Sequence, residues 1–114
     1  MARLLIVDDE TPLCELLQRY LVRQGYDVDI AAHPEAAWAR FESDPLRYDL
    51  VITDLRFEGG DGEELIERMR TKAPRLRAIL SSGYPHQPNL AGVQFLQKPF
   101  LPAVLVEAVQ RALG

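Results

Sequence analysis

Three carboxylates stand where short apolar runs stop. Asp8 and Asp9 follow Arg3-Leu4-Leu5-Ile6-Val7, and Asp54 follows Leu50-Val51-Ile52-Thr53. If the two runs are neighbouring strands, the three acids converge at one sheet edge. Like charges packed together raise one another's pKa unless a cation joins them. Mg²⁺ is the natural cation, because it binds through one or two carboxylates, water and a phosphate oxygen. Ser82 and Lys98 close two further apolar runs and reach the same edge. A lysine beside three carboxylates is an ion pair at rest and a ready partner for a phosphoryl oxygen. A hydroxyl one strand away can donate to the same oxygens. Carboxylate nucleophile, metal, cation and hydroxyl donor together make a phosphoryl-transfer constellation. Singly, each residue has a plainer reading: an acid that ends a strand or caps a helix, a serine in a turn, a solvated lysine. Their coincidence at matched strand ends carries the chemical reading.

The elements that must position these residues alternate. Arg3–Val7 is a continuous apolar run of the kind a strand buried on both faces shows. Thr11 offers an N-cap hydroxyl and Pro12 suits the first helical position. Leu13, Leu16, Leu17, Tyr20 and Leu21 follow at helical spacing, and Gly25 stops the helix. Tyr26–Ile30 alternates apolar and polar, which predicts an edge strand. His33-Pro34 opens a helix through Trp38 and Phe41 that ends before Asp44-Pro45. Leu50–Thr53 is the third strand, Gly59–Gly62 a loop, and Leu65, Ile66 and Met69 mark a third helix closed by Pro74. Ala78–Ser81 and Val93–Leu96 are the last two strands. A final amphipathic helix carries Leu101, Val104, Leu105, Ala108, Val109 and Leu113, with Pro102 in its first turn.

Strict alternation predicts an α/β fold, a (βα)5 doubly wound five-stranded parallel sheet with helices on both faces. Right-handed crossovers put every strand's C-terminus on one edge, where such sheets bind ligands. One crossover is unusual. Only ten residues, Gly83 to Gly92, separate Ser82 from Val93. They include Gly83, Pro85, Pro88 and Gly92, all poor in helix interiors. A parallel crossover needs about ten to twelve residues at least, so the fourth helix is expected to be shortened or absent.

The 114 residues suit one compact domain, residues 1–114, with an ordinary 47% hydrophobic and 26% charged composition. No run is long and apolar enough to span a membrane. The short apolar start that runs into Asp8-Asp9 does not read as a signal peptide. Cys14 is the only cysteine, which excludes an internal disulfide and fits a cytoplasmic location. A formal net charge of −4 without a basic stripe argues against direct nucleic-acid binding. Trp38, Phe41 and Cys14 read as packing residues, and His33 as a helix-start residue. Gly59, Gly60 and Gly62 do not follow the order of a dinucleotide-binding loop.

Val7-Asp8-Asp9-Glu10, Asp54 with Gly62 eight residues on, Ser82-Gly83 and Lys98-Pro99-Phe100 resemble the receiver domains of two-component response regulators (the CheY-like family) over essentially the whole chain. The resemblance implies the flavodoxin-like strand order 2-1-3-4-5. It implies that Asp54 is the phosphoacceptor, receiving a phosphoryl group from a phosphohistidine of a histidine kinase or histidine phosphotransfer protein. It implies a Mg²⁺ site of Asp8, Asp9 and Asp54 with the backbone carbonyl of Arg56, Asp9 being preferred over Asp8 as direct ligand. Lys98 would pair with the phosphate, Ser82 would move toward it, and Phe95, three residues before Lys98, would change rotamer with Ser82. Such a domain is a switch in a phosphorelay, catalysing only its own phosphorylation and dephosphorylation. A cytoplasmic monomer or weak dimer is expected.

Two departures stand out. Phe57-Glu58 replaces the Met-Pro the family usually carries there, which should loosen the loop after the third strand and adds negative charge near the site. The short link alters the surface that reports phosphorylation in the family, so dimerisation and downstream partner stay open. Three rivals follow. A phosphorylation-independent interaction module of the same fold is compatible with both departures. A phosphohydrolase would want a second acid two residues after its nucleophile, where this chain has Arg56. A flavin carrier would want a hydroxyl- or glycine-rich loop where Asp8-Asp9-Glu10 stands.

Overall fold

The computed structural model describes residues 1–114. Five parallel strands form one sheet: β1 (Arg3–Val7), β2 (Asp27–Ala31), β3 (Leu50–Asp54), β6 (Arg77–Ser82) and β7 (Val93–Gln97). Their order across the sheet is β2-β1-β3-β6-β7, the expected 2-1-3-4-5 arrangement counted over the parallel strands. The helices are α1 (Thr11–Arg23), α2 (Pro34–Ser43), α3 (Gly62–Arg70) and α4 (Pro102–Leu113). Residues 83–92 contain no helix, as glycine and proline content predicts, so α4 is the family's last helix and not its fourth.

Two apolar clusters form because successive strand side chains point to opposite faces. Leu5, Val7, Val51, Ala78 and Leu80 pack with Trp38 and Phe41 of α2 and with Leu65, Ile66 and Met69 of α3. Leu4, Ile6, Leu50, Ile52 and Ile79 pack with Cys14, Leu17 and Leu21 of α1 and with Leu105, Ala108 and Val109 of α4. Burying both faces explains why β1, β3 and β6 read as unbroken apolar runs.

The register then fixes the site. Val7 lies opposite Thr53, so Asp8 and Asp54 leave neighbouring strands one residue later. Asp54 lies opposite Ser81, and Ser82 opposite Gln97, which brings Lys98 beside them. Gly25, at φ 96°, supplies the left-handed residue that ends α1, with Tyr26 N–H bonded to the carbonyl of Leu21.

Two local expectations differ. Thr11 is the first residue of α1 and not its cap. Glu10 holds the cap position without a side-chain capping bond, because its own N–H donates to Asp8 Oδ1 and turns the chain there. The segment after β3 is not an open loop. Arg56–Phe57 (β4) and Gly60–Asp61 (β5) form a small antiparallel hairpin, with Gly59 at φ 86° in its turn. Phe57 packs onto the α2–α3 cluster, which anchors the hairpin without a proline.

Candidate functional site

Asp8 is 5% exposed and commits both oxygens. Oδ1 accepts the Glu10 N–H at 2.9 Å, and Oδ2 accepts from Lys98 Nζ at 2.8 Å. The same ammonium reaches Glu10 Oε1 at 3.1 Å and lies 3.8 Å from Asp54 Oδ2. Asp54 Oδ1 accepts the Leu55 N–H at 3.0 Å. Backbone bonds past the strand ends hold these groups: Leu55 N–H to the Ser81 carbonyl at 2.7 Å and Lys98 N–H to the Ser82 carbonyl at 2.8 Å. Gly62, opening α3, packs on the Asp54 backbone so closely that a Cβ there would lie 2.2 Å from the Asp54 carbonyl oxygen.

Burial lifts the Asp54 carboxyl above its ordinary value; Lys98 opposes the rise, Asp8 and Asp9 add to it, and the Leu55 N–H lowers it. Burial alone would lower Lys98. Its hydrogen bonds to Asp8 and Glu10, with the charges of Asp8 and Asp54, outweigh that and hold it above the usual lysine range. Cys14 is pushed up to about 12, first by burial and then by Asp8. Its Sγ donates to the Asp8 carbonyl at 3.3 Å, so it packs as a small hydrophobe and is not a thiolate.

One carboxylate oxygen from each of Asp8, Asp9 and Glu10 lies within 4.8 Å of the others. Clustered hard oxygens beside a carboxyl that burial and like charge keep reluctant to ionise fit a small divalent cation. A cleft of about 550 Å³ opens above them, lined in part by Glu10, Asp54, Arg56, Ser82, Tyr84 and Lys98. A larger cleft of about 710 Å³ lies at the opposite sheet edge, between Met1, Leu46, Tyr48 and Leu113, and contains none of these acids.

The residues singled out from sequence divide into three groups. Asp8, Asp54 and Lys98 meet directly. Asp9 is exposed and joins the acid cluster, while Ser82 and Arg56 line the cleft. Phe95 stands apart, half-buried on β7 and packed on the α2–α3 face. Sequence reading missed the part of Glu10, whose adjacency to Asp9 was the available signal. It also missed Tyr84 at the rim, where an aromatic two residues after Ser82 gives no periodic cue. Nothing local pointed to the pairing of Glu63 with His86, 23 residues apart.

Residues 4–110 match the family described as the response regulator receiver domain. PetR of Rhodobacter capsulatus is 32% identical over 96% of the chain, and the response regulator GtcR of Aneurinibacillus migulanus likewise. The matches cover 48% and 47% of those proteins, so the chain spans about half the length of these curated relatives. Among solved structures, the receiver domain of the hybrid histidine kinase CckA superposes with a TM-score of 0.89 at 33% identity, covering 99% of this chain and 100% of that one. TrrA of Thermotoga maritima, solved with Mg²⁺ and BeF, gives 0.86 at 35% identity, covering 98% and 99%.

Proposed function

The chain belongs to the response regulator receiver family, and we propose that residues 1–114 form one receiver unit that switches on transfer of a phosphoryl group to Asp54. The observation that carries this reading is the convergence of Asp8, Asp54 and Lys98 at one strand edge, with a 2.8 Å Lys98–Asp8 contact and a 3.8 Å Lys98–Asp54 contact. The donor is a phosphohistidine on a histidine kinase or phosphotransfer protein. Asp54 Oδ2 attacks phosphorus in line, the P–N bond breaks, and the imidazole nitrogen keeps the bonding pair and takes up a proton. Lys98 Nζ, already 3.8 Å from Asp54 Oδ2, moves from carboxylate to phosphoryl oxygen and offsets the charge gathering there.

Asp8, Asp9 and Asp54, with the Arg56 carbonyl, are the residues we assign to Mg²⁺, which when bound supplies charge neutralisation at the phosphoryl oxygens. Asp9 is exposed and so accessible as a ligand, whereas Asp8 is held by Lys98 and the Glu10 N–H. The Ser82 hydroxyl then turns toward the phosphoryl group and Phe95 follows, a shift between two states and not a turnover reaction. Such a unit works in the cytoplasm, takes its phosphoryl group from a protein partner and does not itself bind nucleic acid.

The test is intact mass after incubation with acetyl phosphate and Mg²⁺, for wild type and Asp54→Ala. A gain of one phosphoryl group that needs Mg²⁺ and disappears in Asp54→Ala is expected. No gain while Mg²⁺ binds would overturn the reading in favour of a phosphorylation-independent interaction module.

A further inference from the structure

The link from β6 to β7 has no helix, yet it is tied down along its length. At its start, the Tyr84 N–H donates to Ser82 Oγ at 3.1 Å. In its middle, one Glu63 oxygen pairs with His86 Nε2 at 2.7 Å, and the other accepts the Asn89 N–H at 2.7 Å. Near its end, Arg70 Nη1 donates to the Ala91 carbonyl at 2.8 Å. Leu90 packs on the apolar cluster beneath. Glu63 and Arg70 stand at the two ends of α3, so this helix grips the link as a strap. The Glu63 side chain is only 16% exposed, and both its oxygens face the strap. It stands in the first turn of α3.

The strap touches both moving parts of the switch. Its first hydrogen bond occupies the Ser82 hydroxyl. His86 sits with its ring centroid 6.2 Å from that of Phe95, the planes inclined by 57°. For Ser82 to turn toward Asp54, its Oγ must leave the Tyr84 N–H or draw the strap with it. For Phe95 to turn, its packing against His86 must change, and Glu63 fixes His86.

We propose that Glu63 is an autoinhibitory latch: by holding the strap at His86 and Asn89 it keeps Ser82 and Phe95 in their resting places and opposes the phosphorylated state. The inference rests on the switch reading above. A contact present only in the resting state biases the equilibrium against activation, and its loss must tighten binding of any ligand that selects the active state.

The probe is beryllofluoride with Mg²⁺, a phosphoryl mimic, titrated into the full chain and followed through backbone amide resonances. Two hydrogen bonds to a carboxylate lie in the latch, so Glu63→Ala should bind the mimic about tenfold more tightly than wild type. His86→Ala keeps the Asn89 bond and should tighten binding about threefold; it also serves if Glu63→Ala does not fold. Exchange of the Asn89 amide should rise in Glu63→Ala and stay near wild type in His86→Ala. Unchanged or weaker mimic binding in folded variants, with wild type binding normally, overturns the latch alone. A wild type that does not bind the mimic overturns the switch reading and the latch with it. A purely structural role for Glu63 would loosen the strap without tightening the site, so the sign of the change decides.

Discussion

β3 and β7 each deliver one charged residue to the cleft, Asp54 from one and Lys98 from the other, yet they are embedded very differently. β3 has strands on both sides, and Leu50, Val51 and Ile52 are buried. β7 is an edge strand; Val93 to Leu96 are only half-buried and Gln97 is exposed. The crossovers explain the contrast. Those flanking β3 carry full helices, whereas the one before β7 is a ten-residue strap, Gly83 to Gly92, that covers part of one face. Asp54, the proposed acceptor, therefore stands on the deeply buried part of the sheet, and Lys98, Phe95 and the strap belong to the less buried part, where local opening is expected to cost less. A switch needs that asymmetry, since a site that moved as a whole would transmit nothing.

Paired truncations on one face of the sheet test the contrast. Ile52 and Leu96 both pack on the α1–α4 side, the first 3% exposed and the second half-buried. Ile52→Ala should cost about 3–4 kcal/mol in urea unfolding, and Leu96→Ala about 1–2 kcal/mol. Equal losses would remove the division into a stiff and a soft half.

Gly62→Ala probes the stiff half by adding a single methyl group. That Cβ meets the Asp54 carbonyl oxygen at 2.2 Å and Leu80 Cδ1 and Thr53 Cγ2 at 3.0 Å each, and backbone cannot yield as a flexible side chain would. A loss of about 2–3 kcal/mol is expected, with slower phosphorylation because Asp54 is displaced. Full activity with wild-type stability would show that β3 yields more readily than its burial implies.

How much of this was legible follows the same division. Apolar runs, their period and the acids that end them specified β1, β3, β6 and the convergence of Asp8, Asp54 and Lys98, because double-sided burial leaves an unbroken signature. The missing helix was legible from Gly83, Pro85, Pro88 and Gly92, since four residues poor in helix interiors fall within a ten-residue link. What replaces the helix was not. The strap is held by Glu63 and Arg70, which sit in α3 and look like ordinary solvated charges in an amphipathic pattern. The β4–β5 hairpin was equally hidden: two-residue strands have no periodicity, and Phe57 is anchored by contacts made only in the folded chain. Glu10 at the cap position of α1 in place of Thr11 reflects its N–H bond to the Asp8 carboxylate, which the cap preferences of Thr11 and Pro12 do not signal.

The smallest expected effect concerns the charge that β3 supports. Burial, with Asp8 and Asp9 adding to it and Lys98 opposing, raises the folded-state pKa of Asp54 above its unfolded value. The folded protein therefore holds this proton more readily than the unfolded chain. By linkage, Asp54 lowers stability as pH rises from the ordinary carboxylate range through the raised value, and the penalty is complete above it. Asp54→Asn removes the charge and keeps an oxygen for the Leu55 N–H. It should be more stable than wild type near about pH 7, with the advantage narrowing toward about pH 4 as wild-type Asp54 takes up its proton. Unfolding midpoints across that range check it; an advantage independent of pH would assign the gain to packing instead. Mg²⁺ added at neutral pH should close the same gap from the other side, stabilising wild type more than Asp54→Asn, because only wild type presents the carboxylate. On the proposed function, the burial of β3 thus has a chemical use: a softer strand would relieve the buried charge by moving, whereas this one would keep it in place for a cation or a phosphoryl group.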